Sequence, residues 1–470
     1  MTSRAILASE LHTLLGERSV LTDEADMQFA LVDHRRLYRG RALAVAQPDS
    51  VEEVSRLIGW CNERRIGVVP QGGNTSYCGG ATPDESGDQL VLSLRRLNRI
   101  RSVDPQNFSI VAEAGCVLAT LQQAAEAAER FFPLSLGSEG SCQIGGNLST
   151  NAGGLNVVRY GMTRQLVLGL EAVLPDGSLL SNLKSLRKDN TGYNLASLLV
   201  GAEGTLGVIT AASLRLWPRI RSSATAFLAL SRPADAIAVL TRLLASAGEY
   251  LSSFELIPRI GVELTGRFIE GVTDPFTDSY PWYALCELTA SAEAPLQELL
   301  QQTLAAAIEQ GELRDAAFAT SERARQSFWR LRENIPEAQR HFGPSLKHDI
   351  SVPVSALPAF IAEASAWVQD NVPDGVLVSY GHAGDGNLHF NVNRAEGADT
   401  AAFMAREPVI KRAIHDLVAR YQGSFSAEHG IGRLKREELQ RYAPPAALHM
   451  MRAIKLAIDP NGIMNPGKLL

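Results

Sequence analysis

The chain has 470 residues, enough for two or more domains with separate cores. Lys and Arg number 45 against 51 Asp and Glu, a net charge of −6, which argues against a nucleic-acid partner and leaves anion recognition to local clusters. The most apolar stretch, Leu195 to Trp217, is interrupted by Glu203, Arg215 and several glycines, so no membrane span is expected. Met1-Thr-Ser-Arg leads into Glu10 and His12 with no apolar leader, and a cytoplasmic location is expected. Cys61, Cys78, Cys116, Cys142 and Cys286 are odd in number and widely spaced, which suits buried free thiols better than disulfides.

In chain order, Ser50-Val-Glu-Glu53 reads as a capping box opening a helix with Val54, Leu57, Ile58 and Cys61 on one face. A short strand, Val68-Val69, follows, and Pro70 is expected to end it. The chain then enters Gln71-Gly72-Gly73-Asn74-Thr75-Ser76-Tyr-Cys-Gly79-Gly80, a loop whose glycines let backbone amides crowd around phosphate oxygens. A generic glycine-rich connection is the other reading of that loop. The run from Leu136 to Gly154 is longer. It contains Ser138, Gly146, Asn147, Thr150 and Asn151, and is too polar to build a core, so it suits a large polar ligand.

A strand from Val167 to Leu174 and the turn Pro175-Asp-Gly177 lead to Arg187-Lys188-Asp-Asn-Thr-Gly192-Tyr193. The segment Gly201-Ala-Glu203-Gly204-Thr-Leu-Gly207-Val208-Ile209-Thr210 comes next. Neither the G-x-G-x-x-G fingerprint nor a usable P-loop occurs, since Gly462 to Lys468 is followed by Leu469 and Leu470.

From about residue 220 glycines thin out and amphipathic helices appear, such as Ala234 to Ala247 and Leu296 to Ile308. Asp349 to Val352 reads as a strand. The helix after it carries Leu357, Phe360, Ile361, Ala364 and Val368 on one face. A later helix has Ile410, Ile414, Leu417, Val418 and Tyr421 on its stripe, with His415 expected off it and solvated.

Between these helices lies Tyr380-Gly-His382-Ala-Gly-Asp385-Gly386-Asn387-Leu-His389-Phe-Asn391, flanked by β-rich residues. Asp-Gly is a strong two-residue hairpin turn. Taking Asp385-Gly386 as that turn makes His382 oppose His389 and Tyr380 oppose Asn391, with opposed Cβ atoms about 5 Å apart. Two imidazoles side by side can grip one ion, or can simply be a solvated sheet surface.

The polar loops resemble the FAD site of vanillyl-alcohol-oxidase type flavoproteins. Pro70 to Gly80, Gly137 to Gly154, Gly201 to Thr210 and Asn465-Pro-Gly467-Lys468 occur in that family's order across nearly the whole chain. The resemblance implies an α+β protein, with an FAD-binding domain of two α/β subdomains over 1–220 (split near 100–110). A substrate-binding cap domain over 221–422 and a C-terminal segment over 423–470 complete it. By this likeness Gln71, Gly72, Gly73, Asn74, Thr75, Ser76 and Gly80 hold the pyrophosphate. Ser138, Gly146, Asn147, Thr150, Asn151 and Gly154 contact the flavin half, with Glu203, Gly207, Val208, Ile209 and Asn465 completing the cofactor site. Asn74 stands where some members attach FAD through a histidine, so non-covalent FAD is expected.

Lys188-Asp-Asn-Thr-Gly192-Tyr193, Trp329-Arg-Leu-Arg332-Glu, the hairpin, and Glu428-His429-Gly-Ile-Gly432 are similar to the D-2-hydroxyglutarate dehydrogenase family, with D-lactate and glycolate dehydrogenases next. That likeness implies one divalent ion, zinc, on His382, His389 and Glu428. His429 would be the proton acceptor, or else would only orient Glu428. Arg332 and Lys347 would anchor substrate carboxylates, and Asn391 would hydrogen-bond the substrate near the ion. Pro336 stands where several members have Thr, and opens the choice of a shorter acid such as D-malate. The family further implies electron-transfer flavoprotein or another electron acceptor as partner, and a homodimer. The rival from another class is a flavin-binding subunit without turnover of its own.

Overall fold

The computed structural model describes residues 3–470, with side chains from residue 5 onward. The chain forms two units. One comprises the chain up to Gly153, Gly161–Arg219 and Glu428–Leu470; the other comprises Gly154–Tyr160 and Ile220–Ala427.

Among the described residues the first unit contains two larger sheets and a two-stranded ribbon that pairs Arg130–Phe131 with Trp217–Pro218. In a four-stranded sheet, Leu90–Ser93 lies between Ala44–Ala46 and Val68–Gln71, parallel to both, and Val20–Leu21 adds an antiparallel edge. The helix Val51–Arg64 covers this sheet. Ser50 Oγ accepts the Glu53 amide at 3.3 Å, while the Glu53 carboxylate reaches back to the Asp49 amide at 3.0 Å. Such a cap stabilises a helix by about 1 kcal/mol. Val54, Leu57, Ile58 and Cys61 are fully buried against Val68, Leu90 and Leu92. Each large aliphatic side chain buried there contributes about 2 kcal/mol. Pro70 does not end its strand. It pairs within it, opposite Leu92, because Val68–Gln71 is an edge strand of its sheet, where a missing amide donor is tolerated.

The second sheet of this unit is antiparallel, in the order Ile100–Asp104, Ser109–Glu113, Val208–Arg215, Val167–Val173 and Leu179–Asn182. The C-terminal tail returns to the first sheet. Val68 donates its amide to the Ile463 carbonyl and accepts the Asn465 amide on its own carbonyl, and Lys455 donates to the Thr205 and Met464 carbonyls.

The second unit also has two sheets. Leu251–Pro258, Trp282–Ala290, Ser222–Leu230 and Asp315–Phe318 form one, antiparallel throughout. In the other, Asn387–Arg394 is central, flanked by Gly375–Tyr380 on one side and by Ser345–Leu346 and Asp349–Ser351 on the other. Helices Pro233–Ala247, Leu296–Glu309, Leu357–Asn371 and Glu407–Arg420 supply one face each to a shared apolar core. The stripe Leu357, Phe360, Ile361, Ala364 and Val368 is buried as its spacing predicts.

His415 departs from expectation. It is 2% exposed, with its ring 5.8 Å from that of His348 and 5.7 Å from that of Phe425. The helix Glu407–Arg420 is covered on more than its aliphatic stripe, and His415 occupies the covered margin. All five cysteines are buried thiols outside any disulfide. Among the described residues no helix is long and apolar enough to cross a membrane.

Candidate active site

In the first unit the two glycine-rich segments meet. Gly73 passes so close to Ser141 that a Cβ would lie 2.3 Å from its carbonyl oxygen, and Gly72 packs on Gln143. Gln71 anchors the loop through Nε2 to the Ala30 and Ala81 carbonyls, and Asn74, at φ 54°, through Nδ2 to the Val32 carbonyl at 2.8 Å. The Asn74 side chain thus holds the loop to the Phe29–Val32 region. Ser76 Oγ accepts the Cys78 amide. Thr75, between Asn74 and Ser76, is half-buried.

The Ser138 carbonyl accepts the Ser141 and Cys142 amides, turning the chain into the short helix Ile144–Ser149. Gly146 and Thr150 lie on that turn, with Thr150 Oγ1 donating to the Gly146 carbonyl. Asn151, at φ 50°, accepts the Arg164 amide. Gly154 falls in the segment grouped with the second unit, where its carbonyl accepts the Val157 amide at 3.4 Å. Gly207 leads into Val208 and Ile209, both buried in the long antiparallel strand.

These residues suit a large hydroxylated cofactor. Beside Gly137, Gly140 and Gly146 there is open space, while Gln143 Oε1, Asn147 Oδ1 and Asn465 Oδ1 are buried acceptors with no hydrogen-bond partner among the described residues. A buried acceptor left without a donor costs about 1–3 kcal/mol, so a ligand rich in hydroxyl and N–H donors would recover it.

Asn465 also binds the chain: its Nδ2 donates to the Gly80 and Glu203 carbonyls. The Glu203 carboxylate accepts the Ile431 and Gly432 amides, both at 2.7 Å. Burial pushes the Glu203 carboxyl above its ordinary value, and those two amides with Lys435 pull the other way. One residue before this clamped turn, the His429 ring stacks on Tyr77 with centroids 4.6 Å apart and planes 18° apart. Tyr77 belongs to the first glycine loop, so loop and turn are fixed to each other. Cys78 supports this by receiving the Arg433 amide on its carbonyl at 2.8 Å.

In the second unit the hairpin is real, but its register differs from the expected one. Tyr380 pairs with His389 and Val378 with Asn391. Strand pairing stops at Tyr380, and residues 381–386 form a six-residue loop in which the Asp385, Gly386 and Asn387 amides all converge on the His382 carbonyl. Two forces explain this. Gly381 is drawn onto the neighbouring strand by reciprocal hydrogen bonds with Leu256, at 2.8 and 3.0 Å. It also crosses Asn387 so closely that a Cβ would lie 2.5 Å from that carbonyl oxygen.

His382 is therefore a loop residue rather than a cross-strand partner of His389. The loop nevertheless brings the two rings within 5.5 Å, at 80°. Along Asn387–Arg394, Leu388, Phe390 and Val392 enter the apolar core, and Asn387, His389, Asn391 and Asn393 share the opposite, polar face.

Three groups not anticipated from sequence hold these histidines. Glu255 accepts from His382 Nδ1 at 2.7 Å through one oxygen, and binds the Arg332 Nε at 2.8 Å and Nη2 at 2.7 Å through the other. Burial opposes ionisation of Glu255, but the His382 ring and the Arg332 guanidinium outweigh it and hold its carboxyl below its ordinary value. Asp349, directly across the ladder from His389, places Oδ1 3.9 Å from its Nδ1. Tyr380, on the other side of His389, carries the Arg332 guanidinium over its ring at 4.8 Å. A lone Glu inside the wholly buried strand Leu251–Pro258 was the one available sequence signal for Glu255.

Asn391 is buried, donates to Gln339 Oε1 at 3.1 Å and accepts the His348 amide at 3.3 Å. Arg332 is 4% exposed. Lys347 is exposed, and so is Pro336, in the first turn of the helix Ile335–Phe342. Asp385 is raised to about 6, mainly by burial. Since His382 Nδ1 faces Glu255, a neutral His382 donates there and presents the lone pair of Nε2, the form a cation requires.

A model of the FAD binding domain matches residues 42–181, and one described as FAD linked oxidases, C-terminal domain, matches residues 219–469. The chain is 37% identical to D-2-hydroxyglutarate dehydrogenase of Stutzerimonas stutzeri (strain A1501), over all of this chain and 99% of that protein. It is 40% identical to the mitochondrial D-2-hydroxyglutarate dehydrogenase of Bos taurus (96% and 81% covered) and 37% identical to that of Arabidopsis thaliana (97% and 80%).

Among solved structures, p-cresol methylhydroxylase with substrate bound superposes with a TM-score of 0.77 at 15% identity. 4-Ethylphenol oxidase from Gulosibacter chungangensis does so with 0.74 at 18%. Each match covers 100% of this chain and 97% of the other, and fixes the fold as α+β, of the vanillyl-alcohol-oxidase type. The protein is an FAD-linked oxidoreductase, and the chain belongs to the D-2-hydroxyglutarate dehydrogenase family.

Proposed function

We propose that this protein oxidises D-2-hydroxyglutarate to 2-oxoglutarate, using non-covalent FAD and one divalent ion, zinc, held by His382, His389 and Glu428. The observation that carries the substrate assignment is near-full-length identity of 37–40% with proteins that bear that name. The metal assignment is supported by the donor chemistry: two imidazoles with rings 5.5 Å apart, one of them fixed in orientation by Glu255.

FAD, held by the two glycine-rich segments through Gln71 to Gly80 and Ser138 to Gly154, would supply a two-electron hydride acceptor. A divalent ion held by His382, His389 and Glu428 would supply Lewis acidity toward the substrate hydroxyl. The remaining work falls to the chain. His429 receives the hydroxyl proton on its imidazole, and the Tyr77 ring fixes the plane in which it does so. Arg332 and Lys347 hold the two substrate carboxylates; the Glu255 carboxylate takes the Nε and Nη2 side of Arg332, which leaves Nη1 for substrate. Asn391 adds a hydrogen bond beside the ion. Electrons pass on to electron-transfer flavoprotein or another acceptor, and the enzyme acts as a homodimer in the cytoplasm.

A second reading, D-malate as a substrate, rests on Pro336, which offers neither a hydroxyl nor an amide donor in the first turn of its helix. Chelation tests the metal assignment. EDTA followed by gel filtration is expected to remove turnover and leave FAD absorbance intact, with zinc restoring the rate. Full activity in metal-free protein would show that the histidines serve structure alone.

A further inference from the structure

A carboxylate as deeply buried as that of Glu255, with a side chain 1% exposed, is tolerated only where partners replace its lost water. Its two oxygens divide between two partners. Oε1 faces His382 Nδ1 at 2.7 Å, and Oε2 takes the Arg332 edge at 2.8 and 2.7 Å.

The backbone makes this arrangement rigid. Leu256, the next residue, exchanges two hydrogen bonds with Gly381, which precedes His382, and the Phe254 carbonyl accepts the Gly384 amide at 3.1 Å. Strand and loop are thus pinned on both sides of the Glu255–His382 pair. The Arg332 guanidinium is fixed in turn by the Tyr380 ring, and Tyr380 lies in register with His389. Nothing else on this strand explains a charge there: Leu251, Phe254 and Leu256 join one apolar core and Ile257 another.

We propose that Glu255 is a positioning residue that ties the orientation of His382 to that of Arg332, so that metal affinity and recognition of a substrate carboxylate weaken together when its carboxylate is lost. The inference rests on the roles given above to His382 and Arg332. A carboxylate behind a ligating imidazole typically improves metal affinity by 10- to 100-fold, by fixing the tautomer and raising the basicity of the ligating nitrogen. The same carboxylate stops the guanidinium from rotating on its long stem, which lowers the ordering cost of a two-pronged grip.

The test uses FAD-loaded, full-length protein. Zinc affinity is measured by competition with a chromophoric chelator in the absence of substrate, and KM and kcat are measured separately at saturating zinc. Glu255→Gln keeps the shape and places an amide group against Arg332; it is expected to raise the zinc Kd by about tenfold or more, and to raise KM for D-2-hydroxyglutarate more than it lowers kcat. Arg332→Met is expected to raise KM while changing the zinc Kd by less than about threefold, because Oε1 still faces His382.

Glu255→Asp keeps the buried charge and shortens its reach, so it guards against misfolding of the Gln variant; it too is expected to bind zinc more weakly. Unchanged zinc affinity in the folded Gln or Asp variant would overturn the proposal. If the unsubstituted protein bound no zinc, the metal assignment itself would fall and this proposal with it, an outcome distinct from a variant that binds zinc normally.

Discussion

The carboxylate of Glu203 accepts the amides of Ile431 and Gly432, each at 2.7 Å, and so clamps the turn that follows His429. Two glycines make the clamp possible. A Cβ on Gly430 would lie 2.8 Å from Glu203 Oε1, and one on Gly432 would lie 2.3 Å from the Cys78 carbonyl oxygen. Glu203→Gln turns an amide group toward a backbone N–H. It is expected to lower kcat per bound flavin by about 10- to 100-fold, since small misplacement of a group in the site is costly. Flavin content and steady-state rates on the same preparation check this.

His429→Asn removes the imidazole proposed to accept the hydroxyl proton while keeping a small polar group beside Tyr77. A drop in kcat of about 10²- to 10⁴-fold is expected, with flavin absorbance unchanged. A rate within threefold of the unsubstituted enzyme would mean that His429 only orients its neighbour.

Gly73→Ala places a methyl group 2.3 Å from the Ser141 carbonyl oxygen, where only backbone could yield. The two glycine-rich segments would be forced apart. Purified variant is expected to carry less than about a tenth of the FAD of the parent, as a distorted cradle loses several hydrogen bonds at once. Flavin-to-protein absorbance ratios decide the point.

Arg101 lies between two buried carboxylates, donating to Glu113 at 3.2 Å and to Glu171 at 3.0 and 3.1 Å. Burial would raise the Glu113 carboxyl, but hydrogen bonds from Arg99 and Arg101 hold it below its ordinary value of 4.5. A depressed folded-state value stabilises the native state above that ordinary value, and the contribution is lost as pH falls through the folded-state value. Arg101→Met is expected to cost about 3 kcal/mol at neutral pH. The gap from the parent should narrow as the pH drops below about 4. Urea unfolding at neutral and acidic pH measures both values.

How much of this was legible in the chain follows from the range of the forces involved. The helix Val51–Arg64, its Ser50 cap and the stripe Leu357 to Val368 depend on neighbours within four residues, and their patterns are local. The glycine runs announced a polar cradle for the same reason. The hairpin was legible as a hairpin, but its register was not. Asp385-Gly386 is a good local turn, yet the tertiary bridge from Leu256 to Gly381 and the crossing over Asn387 override it. His415 was misplaced because nothing near it in sequence reveals His348 or Phe425. Glu255 with His382, and Tyr77 with His429, are separated by 127 and 352 residues, distances over which no periodicity carries information.

Oxidation of D-2-hydroxyglutarate at the flavin is followed by anaerobic mixing of the oxidised holoenzyme with substrate, with no external acceptor present. Bleaching of the flavin band by D-2-hydroxyglutarate is expected, faster than by D-malate, D-lactate or glycolate and absent with the L enantiomer. Bleaching that is faster with D-lactate or glycolate, or no bleaching by D-2-hydroxyglutarate, would rule out D-2-hydroxyglutarate as the preferred substrate.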